Sequence, residues 1–113
     1  MRRLPIILAG IALALGLAHV SLAALAPGTG GLGTLWFAGS GLAILVGGLL
    51  NLTMLRVERP DRLQMAAWLF ANLALTAFFA LALPLLPAPQ TMVGTVVFAL
   101  LAVHAGRRVF ATS

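Results

Sequence analysis

Four times along the chain a long apolar run gives way to a short polar or proline- and glycine-rich break. None of the runs shows the two-residue alternation of a half-buried strand. The runs cover residues 4–26, 35–55, 63–83 and 91–106. About 20 apolar residues rising 1.5 Å each cross a hydrocarbon core of about 30 Å, and the first three runs meet that length. The fourth is shorter, about 24 Å as a helix. Beyond it Arg107 and Arg108 can snorkel, and Val109 and Phe110 can carry the helix into the interface.

The breaks have the chemistry of turns. Pro27-Gly28-Thr29-Gly30-Gly31 stops the first helix, and Arg56 to Arg62 forms a compact charged loop in which Pro60 helps to start the third helix. Pro84, Pro87 and Pro89 end the third helix, because proline lacks an N–H and clashes with the preceding turn. Backbone groups in lipid must be satisfied within a segment, which favours helices over barrel strands for runs this long. Short connections then force antiparallel neighbours. The pattern predicts an all-α membrane protein with a single domain over residues 1–113, a four-helix transmembrane bundle of up-down-up-down topology.

Composition agrees with lipid as the main solvent. The chain is 62% hydrophobic and 8% charged, too few charges to solvate a globule of 113 residues. Every basic residue is an arginine, and all seven lie at the ends of the apolar runs: Arg2, Arg3, Arg56, Arg59, Arg62, Arg107 and Arg108. Basic residues flanking short loops stay cytoplasmic. With four crossings all three arginine clusters fall on one side, so both termini are expected to be cytoplasmic. A net charge of +5 raises nucleic acid as a partner, but arginines at helix ends fit the anionic headgroups of the bilayer instead, and no nucleic acid is expected. An arginine-only, Ala/Leu/Gly-rich composition points to a bacterial inner membrane. The start of the chain, with Arg2-Arg3, an apolar run and Ser21-Leu22-Ala23, also resembles a cleavable signal peptide, whose removal would leave three helices and break this charge symmetry.

Candidate chemistry is sparse. Without cysteine there is no thiolate catalysis, zinc–cysteine site or iron–sulfur ligation. Glu58 and Asp61, the only acids, lie in the arginine loop, where local ion pairing accounts for them. No catalytic residue, metal site or cofactor is expected, and no enzyme.

Polar residues inside the runs are the remaining candidates, since they cost free energy in lipid. Counting 1.5 Å per residue from the arginine side puts His19, Ser40, Thr76 and Thr95, one per helix, at about 20 to 24 Å, where they could enclose a polar pocket with Asn72 near the midplane. Serine and threonine also bond their own backbone carbonyls, and packing is the plainer reading. Asn51, Gln64 and His104 fall within about 6 Å of the arginine edge. His19 and His104 are too far apart in depth to share one iron. Trp36 falls at the far interface and Trp68 about 8 Å inside the near one, both as belt residues.

The strongest local pattern is on the second helix, where Gly39, Ala43, Gly47 and Asn51 recur every four residues. Small side chains at this spacing let helix backbones approach closely. The stripe is expected to pack within the bundle or against a partner. The function expected is that of a structural or accessory subunit, packing with itself as a homo-oligomer or with a larger membrane complex. The alternative is a small transporter or channel for a neutral solute or protons, with His19 and Asn72 in the path.

Overall fold

The computed structural model describes residues 3–25 and 31–111. Four helices account for nearly all of them: α1 (Arg3–Leu25), α2 (Leu32–Met54), α3 (Arg62–Ala82) and α4 (Pro89–Ala111). Each is long and apolar enough to cross a membrane. The bundle measures 50 × 25 × 25 Å, close to the roughly 40–45 Å of a bilayer with its headgroups. Ala26, Arg2 and the expected turn at Pro27, Gly28, Thr29 and Gly30 lie outside the described residues.

Helix limits follow from local chemistry. Gly31 precedes α2 with φ 118°, a left-handed value that favours glycine. At the start of α3, Asp61 and Gln64 form a reciprocal capping box: the Asp61 carboxylate accepts from the Gln64 N–H, and the Gln64 side chain accepts from the Asp61 N–H, both at 2.8 Å. Asp61 is thus a helix cap, and Gln64 serves the helix end rather than a polar layer in the membrane. Pro89 opens α4, where a missing N–H does no harm. The fourth helix corrects the sequence expectation most, starting two residues earlier than 91 and running to Ala111 instead of residue 106. Gly106, Arg107 and Arg108 do not stop it, because neither glycine nor arginine breaks a helix as proline does.

Each helix buries one stripe. On α1 it is Pro5, Leu8, Ala9, Ala12, Gly16 and His19; on α4 it is Thr91, Gly94, Val97, Phe98, Leu101, Ala102 and Ala105. The opposite faces remain apolar and exposed, with Leu17, Trp36, Phe70 and Leu81 among the uncovered side chains. An apolar outside around an apolar inside is the arrangement lipid solvates.

α1 and α2 meet almost backbone to backbone. A Cβ on Gly16 would stand 2.6 Å from the Leu45 nitrogen, and one on Gly41 would stand 2.6 Å from the His19 Cβ. Gly48 receives Leu13 at 3.1 Å from the site of its missing Cβ. Partners across this seam run in opposing order, Leu13 with Gly48, Gly16 with Leu45 and His19 with Gly41. α3 and α4 pair in the same sense, Gly94 against Phe79 and Gly106 against Leu69. Phe79 stacks on Phe98 at 6.0 Å in a core shared by Leu8, Ala12, Ile44, Val97 and Leu101, so all four helices contribute to it.

Asn51 of α2 lies three residues before that helix ends, whereas its partner Asn72 lies ten residues into α3. α3 therefore overhangs the end of α2 by about 10 Å. The two halves of the chain are staggered along the bundle axis.

Gly16→Ala and Gly41→Ala are expected to destabilise the bundle by about 1–3 kcal/mol each, as overpacking against backbone does. Gly10→Ala, whose added Cβ meets nothing within 4 Å, is the neutral control. Thermal or denaturant unfolding in detergent micelles distinguishes them, and equal stability of all three variants would disprove the close approach.

A candidate functional site in the bundle interior

The most concentrated polar chemistry in the membrane-spanning region joins α2 to α3. Asn51, Trp68 and Asn72 are all fully buried. The two amides bond each other reciprocally: Asn51 Nδ2 donates to Asn72 Oδ1 at 2.8 Å, and Asn72 Nδ2 donates to Asn51 Oδ1 at 3.0 Å. Trp68 Nε1 donates to the same Asn51 Oδ1 at 2.8 Å. The second hydrogens of both amides go to carbonyls one turn back, Asn51 to Gly47 O at 2.8 Å and Asn72 to Trp68 O at 3.0 Å. An asparagine side chain has two donors, so the four amide N–H groups are all engaged. Among the described residues no buried side-chain nitrogen or oxygen lacks a partner.

Local sequence explains this convergence. Trp68 and Asn72 are four residues apart on α3 and share a face, as do Gly47 and Asn51 on α2. Gly47 has no side chain, so Leu75 and Phe98 close over it and α3 comes near enough for the amides to meet. Counting depth from the loop separates Asn51 from Asn72 by several ångströms and assigns Trp68 to an interfacial belt; the stagger of α2 and α3 brings the two amides together, and the Trp68 indole reaches the same Asn51 oxygen from one turn away. The sequence signal for the missing member is the i, i+4 series Trp68, Asn72, Thr76.

The other candidates are dispersed. His19 is buried in the α1–α2 seam, its ring stacked on Phe37 at 4.6 Å and its Nδ1–H donating to Leu15 O at 3.0 Å. Each hydroxyl donates to the carbonyl four residues back: Ser40 to Trp36, Thr76 to Asn72 and Thr95 to Thr91. Among the described residues no hydrogen bond joins His19, Ser40, Thr76 and Thr95 to one another. The stripe Gly39, Ala43, Gly47, Asn51 divides: Gly47 and Asn51 are buried against α3, whereas Gly39 and Ala43 are exposed. These two border an apolar groove of about 300 Å³ between α2 and α3, lined also by Trp36, Ser40, Ala74, Leu75 and Phe78.

At the arginine end, Arg108 of α4 reaches the close of α2. Its guanidinium donates to Met54 O and Val57 O at 3.4 Å and lies 5.6 Å from the Trp68 ring centre. A cation there adds a donor to carbonyls at and just past the helix end, where Met54 O also accepts from the Val57 N–H, and suits the negative end of the helix dipole. Arg108 thus binds α4 to α2 and α3 as well as marking the helix end. Arg3, Arg56, Arg59, Arg62 and Arg107 lie at helix ends or in the α2–α3 loop, and Arg2 lies outside the described residues.

No protein-family model, curated protein or solved structure matches this chain.

Replacing members of the polar cluster should cost stability in the order of bonds removed. Asn51→Leu deletes three interhelical bonds, Asn72→Leu two and Trp68→Phe one. At roughly 0.6 kcal/mol per bond in a membrane bundle, plus the stranded partners, the losses should run from about 1 to 3 kcal/mol. Asn51→Leu with Asn72→Leu should lose less than the sum of the two single changes. Strict additivity in a double-mutant cycle would show that the amides do not act as a pair.

Proposed function

We propose that this chain is a small multi-pass protein of the bacterial inner membrane that serves as a structural or accessory subunit, packing with itself or with a larger membrane complex. Its four helices run up-down-up-down with both termini in the cytoplasm. The opposing order of contact partners between successive helices supports that path, and the charge asymmetry of the loops supports the orientation.

The observation that carries the reading is the contrast between a satisfied interior and an open small-residue groove. The Asn51–Asn72 pair uses its own donors completely, which makes it a fastener between helices. A solute or proton path needs polar groups that exchange partners along its length, and the hydroxyls of Ser40, Thr76 and Thr95 are turned back on their own helices. Outside, Gly39 and Ala43 are exposed, and a Cβ added at Gly39 would meet nothing within 4 Å. A helix bearing small residues of its own can approach closely there, and van der Waals contact then drives association in lipid.

Purification in mild detergent with mass measurement should give an assembly well above the 11.7 kDa of one chain. Gly39→Ile with Ala43→Ile should disperse it while leaving the unfolding temperature nearly unchanged. A lone chain both at native abundance and when overproduced, indifferent to these changes, would eliminate the accessory role. Reconstituted vesicles holding the unaltered chain should show solute or proton flux no higher than empty vesicles; flux above that level, lost in His19→Ala or Asn72→Ala, would instead support transport.

Topology has its own test. Reporter tags near Gly31 and Pro87 should emerge on the face opposite the chain ends, and a tag on the same side as the termini would refute the path.

A further inference from the structure

A polar cavity lies at the arginine end. A cavity of about 590 Å³ opens between Pro5 and Ile6 at the start of α1, Leu55 to Glu58 after α2, and His104 and Arg108 on α4. That volume falls within the roughly 300–1,000 Å³ of small-molecule sites. We infer that this cavity binds the phosphate of an anionic lipid headgroup, with Arg56 and Arg108 as its ligands.

The chemistry of the walls selects such a ligand. Two arginines, Arg56 and Arg108, and one carboxylate, Glu58, line the cavity, so among the described residues its walls carry an excess of positive charge. Guanidinium forks match phosphate oxygens bidentately. The carbonyls at the end of α2 would repel an anion, but Arg108 covers Met54 O and Val57 O at 3.4 Å. His104 adds a ring nitrogen on the same wall.

The apolar part of the lining decides between a lipid and a free phosphate. Pro5, Ile6, Leu55 and Val57 share the cavity with the charges, and Ile6 is half exposed on the outer face of α1. A ligand with a charged head and a hydrocarbon tail satisfies both surfaces, with the tail running down α1.

The full chain, purified in a neutral detergent, is to be examined by native mass spectrometry with phosphatidylglycerol and with phosphatidylcholine. Phosphatidylglycerol should remain bound at energies that strip phosphatidylcholine. Arg56→Gln and Arg108→Gln should each weaken its retention by about tenfold, the worth of one charge-assisted contact. Glu58→Gln should strengthen it, and Arg59→Gln, outside the lining, should leave it within about twofold. Arg56 is exposed, so its variant reports on binding even where Arg108→Gln disturbs the fold. Equal retention of the two lipids, or an Arg56→Gln protein that matches Arg59→Gln, would overturn the site. Displacement of the lipid by millimolar inorganic phosphate would overturn its assignment to a lipid.

Discussion

A buried amide surrounded by hydrocarbon has no water to turn to when its partner is lost. That constraint governs this bundle. Asn51 and Asn72 satisfy each other only at one register of α2 against α3, and Trp68 adds a donor that must meet the same oxygen. Shifting either helix by one residue would rotate an amide by about 100° and carry it about 1.5 Å along the axis. The energy of such bonds in a membrane is modest. Their value lies in selecting one arrangement among many with similar van der Waals contact, as a single buried asparagine does in a coiled coil.

The remaining contacts are shape-driven and would tolerate more sliding. α1 rests on α2 through Gly16, Gly41 and Gly48, where backbone lies close to backbone and the Leu13 and His19 side chains fill the space the glycines leave. α3 holds α4 through aromatic surface, with Phe79 filling the space left by Gly94 and stacking on Phe98. The chain is thus two helix pairs of different character, with the amide cluster and the Phe79–Phe98 core between them. Arg108 reinforces the join from the arginine end by satisfying carbonyls at the end of α2. Because the amides fix the stagger of α2 against α3, they also determine where the outer groove between these helices falls.

Helix number and placement were legible in the sequence because lipid imposes a length and excludes charge, and both leave marks in a single chain. The proline and glycine breaks located the loops to within a few residues. Stagger was not legible. Counting depth from loop ends treats helices as level, whereas α3 overhangs α2, so Asn51 and Asn72 read as separate layers and Trp68 as a belt residue. The hydroxyls of Ser40, Thr76 and Thr95 looked like a ring only because depth was the sole coordinate; which way each bonds depends on its own turn of helix. On α2 the four-residue period drew attention to Gly39, Ala43, Gly47 and Asn51, while the approach of α1 uses Gly41 and Gly48, seven apart. Both stripes exist on one helix because glycine is so frequent there, and spacing alone does not say which stripe meets which neighbour.

The division of the Gly39–Asn51 stripe follows from the same stagger. Near Asn51 the amide pair holds α3 against α2, and Leu75 with Phe98 fills the space above Gly47. Directly beyond Leu75, toward Trp36, polar attachment between these helices ends and the groove begins. α3 stops at Ala82, so the far turns of α2 run on with α1 as their principal neighbour. Small residues at Gly39 and Ala43 do nothing for the fold of a single chain there, since larger side chains would fill the groove better. Retaining them where nothing packs makes physical sense if another helix occupies that space.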